Sequence, residues 1–278
     1  MKATQLGFAN IILQLNQMNT KVYLPFLGEF GWYIICFVKR IHGDTATRKI
    51  VCCKRGHECL FPTATDFYYE WEDIADGMKA GIHPDFSHEE VLKERITKHF
   101  NLLDVEWSSP SANGWHDKLD YYNHNFIPKP LLPYDLQADV IITPRNRTID
   151  SYRNWTKDNW QFVVDQLYVR NISVAVCGAK DSTFELSNVK YKSYNYTDVD
   201  SDVELMTNAK LIITQESGLQ YLAFLCQKPV MCIDHYHGAD ADLFREKHIP
   251  FKEIPYVWNE PKLLVQEIEF FLNFGKTI

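Results

Sequence analysis

The second half of the chain alternates short apolar segments with amphipathic ones. ADVIITP (138–144), ISVAVCG (172–178), LIITQ (211–215) and PVMCID (229–234) are typical of buried parallel strands, because they are short, continuously apolar and rich in β-branched residues. The intervening segments 156–170, 202–209 and 217–226 show helical spacing, and 189–194 is a further candidate strand. A final helix is predicted over 261–274, with Pro261 in its first turn. Strands that alternate with helices predict βαβ units and a parallel sheet.

The first half carries a weaker version of the same alternation. Helices are predicted over 4–18, 31–41 and 87–100, and strands over 21–27, 49–55 and 67–71. Ser87 with Glu90 forms a capping box at the start of the third helix. Residues 101–137 show little periodicity, and PKPLLPY (128–134) is typical of a linker. The fold class expected is therefore α/β, with two Rossmann-like domains, 1–133 and 134–278, facing across a cleft.

Charge and cysteine content narrow the classes of function. The 278 residues carry a formal net charge of -7, which opposes a wholly basic nucleic-acid surface. The segment 39–57 is nevertheless basic, and a solvated face is its ordinary interpretation. Its cations are Lys39, Arg40, Arg48, Lys49, Lys54 and Arg55, against one acid, Asp44. The seven cysteines show no CxxC pair or zinc spacing, so buried free thiols in a reducing compartment are expected. Without a signal segment or an apolar run of about 18 residues, the sequence predicts a soluble cytoplasmic protein.

Polar residues follow the predicted strand 211–215 directly. Gln215, Glu216, Ser217 and Gly218 join this strand to the next helix, at the edge where open α/β sheets bind ligands. A helix N-terminus there presents free N–H groups and a partial positive charge, which suit a phosphate. Ser217 is either a ligand for a phosphate oxygen or simply the N-cap, and Glu216 suits ribose hydroxyls or a sugar.

A cluster of cations follows the predicted strand 138–144. Because carboxyl ends of parallel strands share one edge, these cations are expected near residues 215–218. They suggest a site for a multiply charged anion such as a diphosphate, although surface solubility is the alternative. The cations are Arg145, Arg147, Arg153 and Lys157. Gly178 and Lys180 end another strand on this edge; they do not form a GxGxxG fingerprint, so a nicotinamide enzyme is disfavoured.

Glu29 is the candidate catalytic residue of the first half. It stands between Gly28 and Gly31 on a tight strand-to-helix turn, where a partly buried carboxylate with a raised pKa can act as a general base. A capping carboxylate at the helix start is the alternative. We assign five residues to binding of the acceptor, the substrate whose hydroxyl Glu29 would deprotonate. They are Phe30, Gly31 and Trp32 beside Glu29, and His235 and His237 after the strand 229–234.

Three segments together resemble the heptosyltransferase family, glycosyltransferase family nine, whose members have the GT-B fold. Glu216-Ser217-Gly218 followed by Tyr221-Leu222-Ala223 is similar to the acid–small–Gly tripeptide that opens the family's donor-binding helix, with Glu in place of the usual Asp. Arg153-Asn154-Trp155-Thr156-Lys157-Asp158-Asn159-Trp160 is similar to the family's basic-x-Trp-Pro-x-x-x-Trp segment, with Thr156 in place of Pro. GEFGW resembles the N-terminal turn that carries the family's catalytic carboxylate, and Glu29 falls at the acid.

The resemblance implies inverting sugar transfer without a metal or other cofactor. Glu29 would deprotonate an acceptor hydroxyl. The nucleoside diphosphate would leave towards Arg145, Arg153 and the N–H groups of 217–219, with Lys157 as a further candidate. The donor is expected to be a nucleotide sugar, with UDP preferred because UDP-sugars are the commonest donors. The acceptor is a glycan or a hydroxylated DNA base flipped into the cleft, as in phage DNA modification.

Other interpretations stay open at this point. Asp198-Val-Asp200 matches the DxD pattern by which another glycosyltransferase fold binds Mn²⁺, but N-capping of the next helix is the preferred explanation. His235 and His237 could ligate a metal, but no third ligand is evident. A non-catalytic nucleotide-sugar-binding protein, an epimerase and a pyruvyl transferase are the alternative functions. The oligomeric state is left open.

Overall fold

The chain forms two compact units, Met1–Leu119 and Asp120–Ile278. The computed structural model describes residues 19–26, 30–71, 73, 89–109, 127–131, 135–148, 151–195, 199–215, 217–233, 244–245 and 248–275, except the side chains of Trp32 and Tyr256. The predicted domain boundary at 133/134 falls inside the second unit. The predicted N-terminal helix 4–18 lies outside the described residues, as does Ser87.

The first unit contains a four-stranded parallel sheet. Its strands lie in the order β3-β2-β1-β4. Their bounds are β1 Thr20–Tyr23, β2 Arg48–Cys52, β3 Asp66–Tyr68 and β4 Glu106–Ser108. Val22 of β1 pairs with Ile50 of β2 on one side and with Trp107 of β4 on the other. The core beneath this sheet joins Val22, Ile50 and Tyr68 to the helical residues Leu92 and Ile96.

Among the described residues of this unit, two helices accompany the sheet. The first, α1, runs from Phe30 to Gly43 and is π-helical over Tyr33–Val38. A π-helical segment inserts an extra residue in a turn, and such segments are frequent at functional sites. Here it places the rings of Tyr33 and Phe37 5.6 Å apart, and both rings contact Phe61 edge-on. The second helix, α2, spans Glu89–Phe100.

The second unit contains a six-stranded parallel sheet in the order β10-β9-β8-β5-β6-β7. Its strands are β5 Val140–Ile142, β6 Val174–Val176, β7 Tyr191–Lys192, β8 Leu211–Thr214, β9 Val230–Cys232 and β10 Phe251–Glu253. Its helices are α3 Lys157–Tyr168, α4 Val199–Asn208, α5 Gly218–Leu225 and α6 Pro261–Phe274. Counted within this unit, the strands lie in the order 3-2-1-4-5-6 of the Rossmann fold, read from β7.

Alternation along the strands distributes the core of the second unit over both faces of the sheet. Val140 and Ile142 pack with Trp160 of α3 and Leu264 of α6. Ile141, between them, is equally buried and points to the other face. Both faces of the sheet are therefore covered, as the continuous apolar strands predict.

The structure confirms the predicted fold class of parallel α/β units and corrects several elements. β4 lies within the segment 101–137 predicted to be irregular, and β10 was not predicted. Both contain charged residues and are partly exposed, so they lack the continuous apolar pattern that identified the equally short β5, β6 and β9. Helix α5 was predicted to bury one face that includes Leu219. It buries most of its circumference instead, including Gln220, and the ring of Phe224 packs edge-on against Phe244 at 5.3 Å.

The predicted linker is anchored on the second unit. The backbone N–H of Leu131 donates to Asp200 (2.7 Å), and that of Leu136 donates to Glu204 (3.0 Å). Both acids belong to α4 and are buried. All seven cysteines are free and buried, as predicted. Among the described helices, none is both long enough and apolar enough to cross a bilayer.

Candidate functional site

The strand order of the second unit defines a topological switch point between β5 and β8. The chain leaves these two neighbouring strands towards opposite sides, so a crevice opens outside their carboxyl ends. Thr143 and Gln215 are the first residues beyond the two strands. Both segments that the sequence selected for anion binding, 145–157 and 215–218, begin at this point.

Side chains join the two strand ends. The hydroxyl of Thr143 donates to that of Thr214 (2.8 Å), and the Thr214 hydroxyl donates to the backbone carbonyl of Gln215 (2.6 Å). The Gln215 amide reaches the other way: its Oε1 accepts from the N–H of Arg145 (3.2 Å), and its Nε2 donates to the carbonyl of Arg153. Gln215 is 0% exposed. The base of the crevice is therefore fixed by buried polar groups.

Asn154 organises the loop after β5 from within. Its Oδ1 accepts from the guanidinium of Arg145 and from the N–H of Arg147 (3.2 Å), and its Nδ2 donates to the carbonyl of Arg147 (2.7 Å). The next residue, Trp155, is buried edge-on against Trp160 at 4.9 Å. Both ends of this loop are therefore held in place, by hydrogen bonds at Arg145 and by the buried Trp155.

The turn after β6 lies close to both the loop after β5 and the start of α5. Gly178 has φ +131°, and a Cβ there would lie 2.4 Å from the hydroxyl oxygen of Thr183 and 3.4 Å from a methyl of Leu219 in α5. Thr183 forms an antiparallel bridge with Arg145. The N–H of Gly178 donates to the hydroxyl of Ser193 (2.9 Å), so this N–H is engaged within the protein. Glycine is required because the turn is tight and its backbone conformation disfavours side chains.

Ser217 and Gly218 begin α5 at the edge of the crevice. Ser217 has the extended backbone of an N-cap, but its hydroxyl makes no capping hydrogen bond. Its Oγ is enclosed and has no hydrogen-bond partner in the described part of the chain. The first N–H groups of a helix have no partner within it, so α5 presents donors here.

The predicted cations occupy different environments. Arg145 is 5% exposed, with its guanidinium bound to Asn154, and Arg153 is half-buried. Arg147, Lys157 and Lys180 are exposed. Lys157 opens α3 and lines a surface depression with residues 185–189 and Lys192. The structure therefore brings Arg145, Arg147 and Arg153 into one loop at the switch point, whereas Lys157 belongs to a neighbouring depression.

Several predicted site residues lie outside the described residues. These are Glu29, Glu216, Asp198, His235 and His237. Phe30 and Gly31 open α1. The Phe30 ring is half-buried and lies 6.0 Å from that of Tyr33 and 6.2 Å from that of His57. For Trp32 only the helical backbone is described.

The structure gives roles to residues for which the sequence analysis predicted none. Gln215, Asn154 and Thr183 build the crevice through contacts with residues distant in sequence. In the first unit, His57 follows β2 and its Nδ1 lies 3.3 Å from the hydroxyl of the buried Tyr33. A histidine after the carboxyl end of a predicted parallel strand was the available signal.

The environments of Cys177 and Asp200 disfavour two alternatives, nucleophilic catalysis by a thiolate and metal binding at the DxD pattern. Burial raises the pKa of the Cys177 thiol well above its usual value, and Asp202 adds to the shift, so a thiolate nucleophile is disfavoured. Asp200 of the DxD pattern is buried and accepts from Leu131 rather than facing a metal site. Among the described residues, no group of three or more His, Cys, Asp or Glu side chains could hold a metal ion.

Comparison with known proteins gives structural neighbours only. No family model matches the sequence, and no curated protein matches it. The structure is similar to E. coli heptosyltransferase WaaC with ADP (9% identity, 90% of this chain and 99% of that chain, TM-score 0.49). It is also similar to E. coli ADP-heptose lps heptosyltransferase II (10% identity, 90% and 99%, TM-score 0.47) and to the glycosyl transferase family 9 protein of Veillonella parvula (8% identity, 77% and 79%, TM-score 0.47). These similarities concern the fold.

Proposed function

We propose that the protein is a glycosyltransferase that takes a sugar from a nucleoside-diphosphate sugar. The observation that carries this proposal is the switch point of the second unit. There the N-terminus of α5 meets the loop after β5 at the carboxyl edge of a Rossmann sheet. This loop carries Arg145, Arg147 and Arg153 and is called the arginine-bearing loop. Helix N-terminal N–H groups and arginines together suit a diphosphate, which is the part common to all such donors.

The donor side would stabilise the leaving group without a metal. As the bond between the anomeric carbon and the phosphate oxygen breaks, the electron pair stays on the diphosphate. The N–H groups at the start of α5, the hydroxyl of Ser217 and the arginines Arg147 and Arg153 would balance that charge. Glu216 is proposed to accept from sugar or ribose hydroxyls. No cofactor is proposed, since the nucleotide sugar is a co-substrate.

The acceptor side is assigned to the first unit, with Glu29 as general base. Glu29 would remove the proton from an acceptor hydroxyl, whose oxygen forms the new bond to the anomeric carbon with inversion. Phe30, Gly31, Trp32, His235 and His237 remain the proposed acceptor contacts. UDP remains the preferred nucleotide, because UDP-sugars are the commonest donors.

The environments of the basic segment 39–57 favour a glycan over a DNA acceptor. Lys49 is buried, and its ammonium donates to the carbonyl of Ile41 (2.8 Å) and to Thr63 (3.2 Å). Lys39 is also buried, and Arg48 is paired with Asp66 at 3.0 Å. A surface for DNA needs cations that reach phosphates, and half of this run serves the protein interior or an internal ion pair.

The first test is a thermal-shift panel with UDP, ADP, GDP, CMP and their sugars, with and without EDTA. A ligand at about 100 times its Kd adds about 2.7 kcal/mol to the free energy of unfolding, which raises Tm visibly. Stabilisation by one nucleoside diphosphate that survives EDTA would support the proposal and identify the donor class. Absence of any stabilisation would refute the donor site, and stabilisation lost with EDTA would refute metal independence.

Glu29→Gln tests the assignment of the base. This variant should lose turnover by at least about 100-fold, the lower range for general base catalysis, while its affinity for the donor stays unchanged. Product formation and donor binding are measured on the same preparation. Glu70→Gln removes an exposed carboxylate of the same unit and serves as the control. Turnover that survives in Glu29→Gln would show that another group is the base.

A further inference from the structure

The side-chain amide of Gln215 connects both ends of the arginine-bearing loop to the end of β8. It accepts from the N–H of Arg145 at the start of that loop and donates to the carbonyl of Arg153 at its end, 70 and 62 residues away in sequence. Gln215 is completely buried, so water does not compete for these bonds.

Asn154 repeats this arrangement inside the loop. Its oxygen accepts from Arg145 and Arg147, and its nitrogen donates to the carbonyl of Arg147. The two amides together hold the backbone at Arg145, Arg147 and Arg153, of which Arg147 and Arg153 are proposed to face the diphosphate. They form a two-amide clamp, defined here as Gln215 and Asn154.

An amide is the side chain that this clamp requires. Gln215 must accept a hydrogen bond with one end and donate one with the other, which only an amide of this length does. An ionised glutamate has no donor for the Arg153 carbonyl, and an apolar side chain would leave a buried N–H and a buried carbonyl unpaired. The residue thus fixes backbone geometry at the crevice without itself being exposed to a ligand.

We propose that Gln215 is a positioning residue for the donor diphosphate, acting together with Asn154 through the backbone at Arg145, Arg147 and Arg153. This inference rests on the proposed function. A misplaced loop would weaken the hydrogen bonds of its arginines to the charged diphosphate, and the loss of one such bond lowers affinity by roughly 10- to 100-fold. The clamp should therefore govern affinity for the diphosphate and leave contacts to the base and ribose largely intact.

The test compares two ligands on matched variants by calorimetry. Gln215→Glu and Asn154→Ala are measured with the nucleoside diphosphate that stabilises the wild type most, and with the corresponding nucleoside. We expect affinity for the diphosphate to fall about 10- to 100-fold in both variants, and affinity for the nucleoside to change less than about 3-fold. A merely structural role would weaken both ligands alike. Asn154→Ala adds no charge, so a selective loss of diphosphate affinity in that variant cannot come from repulsion by a new carboxylate, as it can in Gln215→Glu.

Gln161→Glu provides the matched control. The Gln161 amide also bridges two groups, accepting from the N–H of Ser187 (2.9 Å) and donating to Asp165 (2.8 Å), but it lies on α3. This variant should bind both ligands as the wild type does. If Gln215→Glu does not fold, Asn154→Ala, which changes a half-buried residue, decides alone.

Each other outcome has a definite meaning. Equal losses for diphosphate and nucleoside, or a loss in Gln161→Glu as large as in Gln215→Glu, would overturn the positioning role while leaving the proposed function in place. Unchanged diphosphate affinity in Asn154→Ala and Gln215→Glu would do the same. Failure of the wild type to bind any nucleoside diphosphate would overturn the proposed function, and the positioning role with it.

Discussion

Replacing Gly178 by alanine should destabilise the second unit through two separable effects. A non-glycine residue in the φ +131° conformation of Gly178 costs about 1–3 kcal/mol. The new methyl would also lie 2.4 Å from the hydroxyl oxygen of Thr183, so the bridge between Thr183 and Arg145 must shift. Such overpacking costs about 1–3 kcal/mol. Together they predict a loss of about 4 kcal/mol in the free energy of unfolding, or roughly 8–16 °C in Tm.

The two effects can be separated with a second substitution. Thr183→Ala removes the clashing oxygen, and the remaining Thr183 Cβ lies at an ordinary 3.6 Å. In the Gly178→Ala background it should restore about half of the lost stability, whereas in the wild type it should be neutral or mildly destabilising. The difference is a coupling energy of about 1–2 kcal/mol in a double-mutant cycle followed by urea unfolding.

Gly275 supplies the control for this cycle. It also has a positive φ, +34°, but nothing lies within 4 Å of a Cβ placed there. Gly275→Ala should cost about 1 kcal/mol and show no coupling to Thr183→Ala. The steric explanation is refuted if Gly178→Ala unfolds within about 1 kcal/mol of the wild type, or if Thr183→Ala fails to restore stability.

Two further predictions concern stability. The carboxylate of Asp139 accepts from Ser173 and from Lys210 (2.7 Å), and these bonds lower its pKa to about 2 against the opposing effect of burial. A lowered folded-state pKa stabilises the protein above the unfolded pKa of about 4, so roughly 2 kcal/mol should be lost between about pH 4 and pH 2. Asp139→Asn should reduce that loss, as urea midpoints across this range would show, and equal pH profiles would contradict it. Asp200→Ala should leave the N–H of Leu131 without its acceptor and cost about 1–3 kcal/mol, whereas the exposed control Asp181→Ala should cost less than about 0.5 kcal/mol.

The pattern of apolar residues predicted the long helices well, because each helix shows helical periodicity within its own sequence. The helix predicted over 261–274 is Pro261–Phe274, and the one over 156–170 is Lys157–Tyr168 with Thr156 as its N-cap. β4 depends on the open edge of β1 instead, where the N–H of Leu24 donates to Ser108 (3.0 Å). A strand that forms by pairing with a neighbouring strand, without an apolar pattern of its own, cannot be recognised from local sequence.

The candidate site also has features that local sequence predicted and features that it did not. Strand alternation placed the segments 145–157 and 215–218 on one edge, and the sheet order agrees. Counting cations could not show that Arg145 would be buried and bound to Asn154, or that Lys157 would line another depression. The amide of Gln215 was equally hidden, because both of its partners are more than 60 residues away. Hydrogen bonds of that range depend on the assembled sheet.

Ser217 shows how structure can favour one of two roles left open by sequence. Thr156 and Ser217 both occupy N-cap positions with extended backbones, but only the Thr156 hydroxyl accepts from its helix, at the N–H of Asn159 (3.2 Å). In α5 the N–H of Gln220 donates instead to the backbone carbonyl of Ser217 (3.0 Å), so the helix start does not use the hydroxyl. An enclosed hydroxyl that makes no hydrogen bond in the described part of the chain is unfavourable unless something else engages it. Its position at the switch point, beside the free N–H groups of α5, therefore favours a ligand-binding role over capping.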